Sequence, residues 1–296
     1  MPALTCVTLS VAACSGSSAA APEFTWPPAH VEVTPALTAT PPAQRAPVVV
    51  IDAGHAVDES GAAAYGVVEK DSNLDFAVRV AALLRAQGIE AILTRTTDVR
   101  AAAPGDAPTT EFGYNGTRLD LQARVDLANA GNADAFVSIH SNGAPDGDTR
   151  GHEVYWNAAR PFAAQNKVLA TALLDGVTAE LSAGGYASMP RGVIDDDCLK
   201  AFQGRCFPLF LLGPVRVTDR DEVYRRGGTP EGLGFAPGQE SITSRATQMP
   251  GALVELLFIS SPADAALLRD EGARNAMSRG VARGITDFLK QSKQGG

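Results

Sequence analysis

Two histidines and two glutamates stand where they could share one chemistry. His55 ends the run Val48-Val49-Val50-Ile51-Asp52-Ala53-Gly54-His55, and His140 ends Asp134-Ala135-Phe136-Val137-Ser138-Ile139-His140. Glu255 is the lone carboxylate of a third apolar run, Gly251 to Ser260, and Glu69 opens a helical pattern after the first loop. Two imidazoles with one carboxylate make a ligand set for catalytic zinc, which keeps a fourth position for water. Zinc lowers the pKa of that water from ~15.7 toward ~7. A further carboxylate must then carry the water's proton to a leaving amine. Glu255 suits that task, because a carboxylate within an apolar strand is costly unless it faces a polar pocket or a metal. Taken singly, each residue also has a structural reading. A strand-end histidine can be hydrogen-bonded in place, a helix-start acid is favoured by the dipole, and a strand glutamate can pair with an arginine. The candidates lie far apart and no HExxH is present, so spacing alone does not choose between these readings.

The elements that must position them follow from periodicity. The β-branched run at Val48 reads as a buried strand, and in open α/β sheets chemistry collects at the carboxyl ends of strands. Leu74, Ala77, Val78, Ala81 and Leu84 recur at helical spacing after Glu69. Gly88 suits the helix end, and Ile89 to Thr94 reads as a second strand. Arg118 to Ala130 predicts a helix, Gly151 to Trp156 a strand, and Pro161 to Leu181 a long helix. Phe207 to Leu212 could be a strand between two irregular stretches, residues 184–206 and 219–249. Ser261-Pro262-Ala263-Asp264 matches a helix start with Pro in the first turn and an acid near the capping-box position. One final helix is expected to about Lys290. Strands alternating with helices predict a single three-layer α/β domain, a mixed sheet of about six strands flanked by helices.

Composition narrows the partners. The chain has 296 residues and a net charge of −8 with no basic cluster, which argues against nucleic acid. No apolar run reaches the length of a membrane span. Residues 1–21 are small and apolar, like an export signal, yet no Lys or Arg precedes them, so the start codon is a candidate for misplacement. Val11-Ala12-Ala13-Cys14 resembles a lipoprotein signal; the alternative is a plain secretory signal cut near Ala19 to Ala21. Residues 22–46 are Pro/Ala/Thr-rich and read as a semi-rigid linker to a domain at 47–291.

Several dispersed segments, in order, carry a resemblance. They are Val-Ile-Asp-Ala-Gly-His (50–55), Glu-Lys-Asp-Ser-Asn-Leu (69–74), Leu-Thr-Arg (93–95) and the helix from Arg124 to Asn129. Ser-Ile-His-Ser-Asn (138–142), Gly-His-Glu-Val-Tyr (151–155) and Val-Glu-Leu-Leu-Phe-Ile-Ser (254–260) complete the set. From about Pro47 to Leu289 the chain resembles the catalytic domain of zinc-dependent N-acetylmuramoyl-L-alanine amidases, found in bacterial cell-wall autolysins. The resemblance implies one zinc ion held by His55, Glu69 and His140, with Glu255 as catalytic acid/base. The implied reaction is hydrolysis of the amide between N-acetylmuramic acid and L-alanine of the stem peptide. Peptidoglycan or muropeptides are then the expected partners of an exported, cell-envelope protein, either secreted or attached to the membrane through a lipidated Cys14, and monomeric. A non-cleaving peptidoglycan-binding regulator on the same fold, and a zinc peptidase of the stem peptide, are the alternatives.

The sequence departs from the family pattern in places. Ala56-Val57-Asp58 replaces a Gly-rich segment, and Leu257 and Ser261 stand where Gly and Asn are usual. His152 is expected near the site or on the surface, without a ligand role. In an exported protein Cys198 and Cys206 are expected to pair, closing a short loop near the cleft; two free thiols are the alternative.

Overall fold

The computed structural model describes residues 45–197, 200–202 and 205–294. The signal and spacer expectations for residues 1–44, Cys14 among them, fall outside the described residues, as does Cys198. No helix among the described residues is long and apolar enough to cross a membrane.

Six strands make the central sheet: β1 (Val48–Ala53), β2 (Glu90–Leu93), β3 (Ala135–Asn142), β4 (His152–Trp156), β5 (Pro190–Asp195) and β6 (Gly251–Phe258). Their spatial order is β2-β1-β3-β6-β4-β5. The first four in that order run parallel. β4 is antiparallel to β6, and β5 follows β4 in parallel, so the sheet is mixed. The flanking helices are α1 (Glu69–Arg85), α2 (Gly113–Ala130), α3 (Ala163–Ala183), α4 (Pro262–Arg269) and α5 (Glu271–Gln294).

Strand alternation sorts the side chains into two layers. Val49, Ile51, Val137, Ile139, Val154 and Val254 meet α1, α3 and α5 in the larger core. Val48, Val50 and Phe136 point to the other side, against Val125 and Ala128 of α2 and Leu211 and Met249 of the insertion, residues 184–249. Burying that much aliphatic surface, at about 25 cal/mol per Å², is the main source of stability.

The insertion holds more regular structure than its composition predicts. β5 lies inside the stretch expected to be irregular. Its sequence hid it: Pro190 starts the strand and Gly192 takes φ +115° beside a register shift against β4. Proline at a first residue and glycine at a bulge are tolerated on a sheet edge, where β5 lies. Of Phe207 to Leu212, expected as a strand, Phe207 ends a short strand and Phe210 to Leu212 is a turn in which Leu212 and Gly213 N–H groups bond to Leu209 O. Its apolar residues serve packing: Leu211 and Leu212 are buried against the sheet. Lys200–Phe202 pairs with Arg205–Phe207, and Arg216–Asp219 pairs with Ser241–Ser244, each antiparallel. A short helix, Arg220–Arg225, follows the first strand of the second pair.

The C-terminal helix is two helices. Asp270 turns extended at ψ 121°, and its carboxylate caps the second by accepting from Ala273 N–H at 2.8 Å. Asp264 does not complete a capping box. Buried, it accepts from the backbone N–H of Gly151 at 2.7 Å and of Phe258 at 3.2 Å, tying β6 to the start of β4.

Candidate metal centre

The sheet face that carries Val48, Val50 and Phe136 changes character toward the carboxyl ends of its strands. Two residues on from Val50 stands Asp52; two and four on from Phe136 stand Ser138 and His140. Glu255 is directly across from His140 in the register of β6 and β3. His140, Asn142 and Glu255 are also partly open within otherwise buried strands.

One donor atom each from His55, Glu69 and His140 lies within 4.8 Å of the others. Glu69 Oε1 stands 3.1 Å from His55 Nε2 and 3.0 Å from His140 Nδ1. A tetrahedral zinc with donors about 2.0–2.1 Å away has edges near 3.3 Å. The trio therefore fits a metal of that kind, and the two imidazoles and one carboxylate suit zinc chemically.

Two glycines create the room. A Cβ on Gly54 would stand 2.2 Å from His140 Nε2, and one on Gly61 would stand 2.3 Å from Glu69 Oε2. Glu69 is fixed through both oxygens. Oε2 accepts from Ala62 N–H at 2.8 Å, while Asn73 Nδ2 reaches Oε1 at 3.4 Å and Gly54 O at 3.3 Å.

Electrostatics couple the group. Burial pushes the Glu69 carboxyl up, but the imidazoles of His140 and His55 outweigh it and hold Glu69 well below the usual carboxylate range. Burial likewise pushes His55 down, and the carboxylates of Glu59 and Glu69 reverse this, raising it to about 9. Glu59 Oε2 lies 3.9 Å from His55 Nδ1, the ring nitrogen turned away from Glu69. At that distance the contact is electrostatic, without a hydrogen bond, and the carboxylate attracts the imidazole from behind. Glu59 went unnoticed in the sequence because it sits in a loop of small residues with no periodic context.

The loop after β1 is held under strain. His55 has φ 60° and Val57 φ 52°. The left-handed region is costly for a β-branched residue, a cost that a glycine at position 57 would not carry. Val57 is clamped on both sides, its N–H to Asp98 at 2.7 Å and its carbonyl to Lys70 Nζ at 2.8 Å.

Beneath the loop lies a buried charge network. Arg124 donates to Asp52 at 2.7 Å and to Asp120 at 2.9 Å, and reaches His55 O at 3.2 Å. Ser138 and Thr94 hydroxyls complete the shell of Asp52 at 2.6 and 2.7 Å. Burial pushes Asp52 up, and the Arg124 guanidinium with the two hydroxyls brings it below its ordinary value. Arg124 and Asp52 were visible as motif residues; their pairing, 72 positions apart, was not.

Glu255 lines the same cleft as His55, Glu69 and His140. Next to it in register is Glu153, a buried acid held by Asn142 Nδ2 at 2.9 Å, Arg191 Nε at 2.7 Å and the Tyr155 hydroxyl. Burial, with the negative charges of Glu153 and Glu255, drives the Tyr155 phenol far above its ordinary value, so it remains a donor. β6 has a register irregularity between Glu255 and Phe258, a feature common beside active sites.

His152, expected near the site or on the surface, is at neither. It is fully buried, bonded to Ser188 Oγ at 2.9 Å and Thr178 Oγ1 at 2.8 Å, and burial lowers it to about 4. Strand alternation explains this, since neighbouring Glu153 takes the cleft side. The side chains of Cys198 and Cys206 lie outside what is described. The segment after them, Pro208 to Leu211, does line the cleft.

Comparison with known proteins agrees with this geometry. Residues 49–287 match the family model described as N-acetylmuramoyl-L-alanine amidase. The endolysin of Bacillus phage SPP1 is 29% identical over 250 residues, covering 84% of this chain and 68% of that protein. The germination-specific N-acetylmuramoyl-L-alanine amidase of Bacillus subtilis is 24% identical over 82% of this chain and 80% of its own length. Among solved structures, N-acetylmuramoyl-L-alanine amidase AmiC2 of Nostoc punctiforme superposes with a TM-score of 0.54 at 26% identity, covering 82% of this chain and 97% of that one. Matched motif, strand order and ligand-like trio meet in one place, and the chain belongs to the N-acetylmuramoyl-L-alanine amidase family.

Proposed function

We propose that this protein hydrolyses the amide between N-acetylmuramic acid and L-alanine in peptidoglycan, with one zinc ion held by His55, Glu69 and His140. The observation that carries the reading is the convergence of those three donors beside Glu255, in one cleft at the carboxyl ends of β1, β3 and β6. When bound, zinc polarises the scissile carbonyl and makes hydroxide available near neutral pH.

The remaining steps belong to side chains of this chain. Glu255 takes the proton of the attacking water and returns it to the departing amine nitrogen. Asn73 and Ala62 N–H keep Glu69 oriented, and the Glu59 carboxylate adds negative charge behind the His55 ring. The Asp52–Arg124 pair holds the strand end and the His55 carbonyl, which fixes the loop bearing the first imidazole.

Export to the cell envelope follows from the substrate. The same reading extends to either lipidation at Cys14 or a plain secretory signal, to a Cys198–Cys206 bridge against two free thiols, and to a monomeric state; mass spectrometry of the mature N-terminus, a thiol assay on non-reduced protein and sedimentation test them in turn. The reaction itself is tested by digesting muropeptides with the native enzyme, with Glu255→Gln and after chelation, and reading the products by mass. The reading requires a new amino terminus on L-alanine from the native enzyme alone. A different exposed residue would indicate a stem-peptide peptidase, and no cleavage at all a binding protein.

A further inference from the structure

The cleft does not stop at the metal-facing residues. Tyr114, Arg118, Phe210 and Arg216 line it and also line a second cavity of about 540 Å³. The walls of that cavity come largely from the insertion, with Val223, Phe235 and Ile242 forming a small buried core there.

Arg118 is the distinctive group at the junction. Its Nε donates to Leu233 O at 3.1 Å and its Nη2 to Asn115 Oδ1 at 3.1 Å. Both acceptors are neutral, and among the described residues no carboxylate pairs with this half-buried cation. The insertion packs tightly on it: Gly234, at φ +82°, would place a Cβ 2.9 Å from Arg118 Nη2. The guanidinium is therefore held in position before any ligand arrives. Around it the cavity carries Arg216 and Arg226, against a single carboxylate, Glu222, which pairs with Arg226.

The two ends of the cleft thus differ in charge. Glu59, Glu69 and Glu255 are at one end, where Arg124 is paired with Asp52 and Asp120, and Arg118, Arg216 and Arg226 are at the other, in a chain whose net charge is −8. A basic recess in an acidic protein selects an anion. Resting on the amidase reading above, only one half of the substrate supplies one. The lactyl carboxyl of the sugar is consumed in the scissile amide, so the sugar side is uncharged there, whereas the peptide retains carboxylates.

We propose that this second cavity is the stem-peptide subsite, where Arg118 receives a peptide carboxylate. The peptide then lies toward the Arg216–Ser244 segment, and the glycan lies on the other side of the metal-facing residues.

The test uses the full zinc-loaded protein and two N-acetylmuramoyl-L-alanyl peptides, one with free carboxylates and one with every carboxylate converted to carboxamide. The free form is expected to have a KM lower by about tenfold or more, the scale of a charge-assisted hydrogen bond. Arg118→Gln should erase that preference by raising KM for the free form while leaving kcat near native, and Arg118→Lys should restore part of it. A second arm measures calorimetric binding of the two free peptides, without the sugar, to metal-free protein. It reads the subsite independently of cleavage and of whether a variant folds. Equal KM values and equal binding for the two forms in native protein would overturn the subsite and leave the amidase reading intact. Cleavage of neither substrate, with tighter binding of the free-carboxylate peptide, would reject the amidase reading and keep an acidic-peptide site.

Discussion

The two ends of the cleft are built differently. The metal end rests on β1, β3 and β6, and its side chains are braced by buried hydrogen bonds: Asn73 and Ala62 on Glu69, Ser138 and Thr94 on Asp52, Arg124 beneath His55. The basic end rests on short antiparallel pairs and turns of the insertion, with exposed Val215, Val217 and Tyr224 along it. Chemistry needs donor atoms fixed to within about 0.5 Å, which strands braced by packing provide. Recognition of one chemical group tolerates looser support, so the insertion has more freedom to vary than His55, Glu69 and His140.

That contrast can be broken most severely at Glu255. Replacing it by Gln keeps the shape and removes the carboxylate proposed to carry the proton. We expect kcat to fall by about 10²–10⁴-fold with zinc content unchanged by elemental analysis. Loss of zinc with the activity would mean that Glu255 serves the metal instead.

The next effect falls on stability. Arg124→Met leaves Asp52 and Asp120 buried without their cation, which should cost about 3–5 kcal/mol in chemical denaturation. An exposed change at the basic end, Val215→Ser, should cost under about 0.5 kcal/mol, as surface substitutions do. Equal losses would erase the distinction between a braced end and a tolerant one.

Acidity sharpens the comparison further. His55 is raised from 6.5 to about 9 in the metal-free fold. Its protonated form therefore stabilises that fold fully below pH 6.5, and the contribution is lost as pH rises through 9. Zinc requires the neutral ring, so binding must displace the proton. Zinc affinity should climb between pH 6.5 and 9 with proton release seen in buffers of different ionisation enthalpy, whereas peptide binding at Arg118 should stay flat over that range. A pH-independent zinc affinity would mean that His55 is not a ligand. The smallest effect is the tenfold peptide preference at Arg118.

How much of this was legible in the sequence divides along the same line. His55, His140 and Glu255 could be read because each interrupts or ends an apolar strand pattern, and Glu69 because it opens a clear helix. The sheet's parallel part followed from strand–helix alternation. Less visible was everything that depends on one residue meeting another across the fold. Glu153 looked like one more polar residue beside His152, and only alternation in β4 shows which of them faces the cleft. β5 was hidden by Pro190 and Gly192, signals that normally mark loops and that an edge position permits. The run after Phe207 misled in the opposite sense: Leu211 and Leu212 pack from a turn that follows Pro208. Arg118 showed no signal at all, because an arginine on a helix is ordinary until the insertion closes around it.

The central claim is that three residues scattered over 86 positions of sequence, from His55 to His140, hold one metal ion. Zinc titration of the metal-free protein by calorimetry tests it most directly. The account predicts one zinc per chain for the native protein and for Glu255→Gln, and affinity lower by at least about a hundredfold in Glu69→Ala, His55→Ala and His140→Ala. Native zinc affinity in any of those three alanine variants would contradict it.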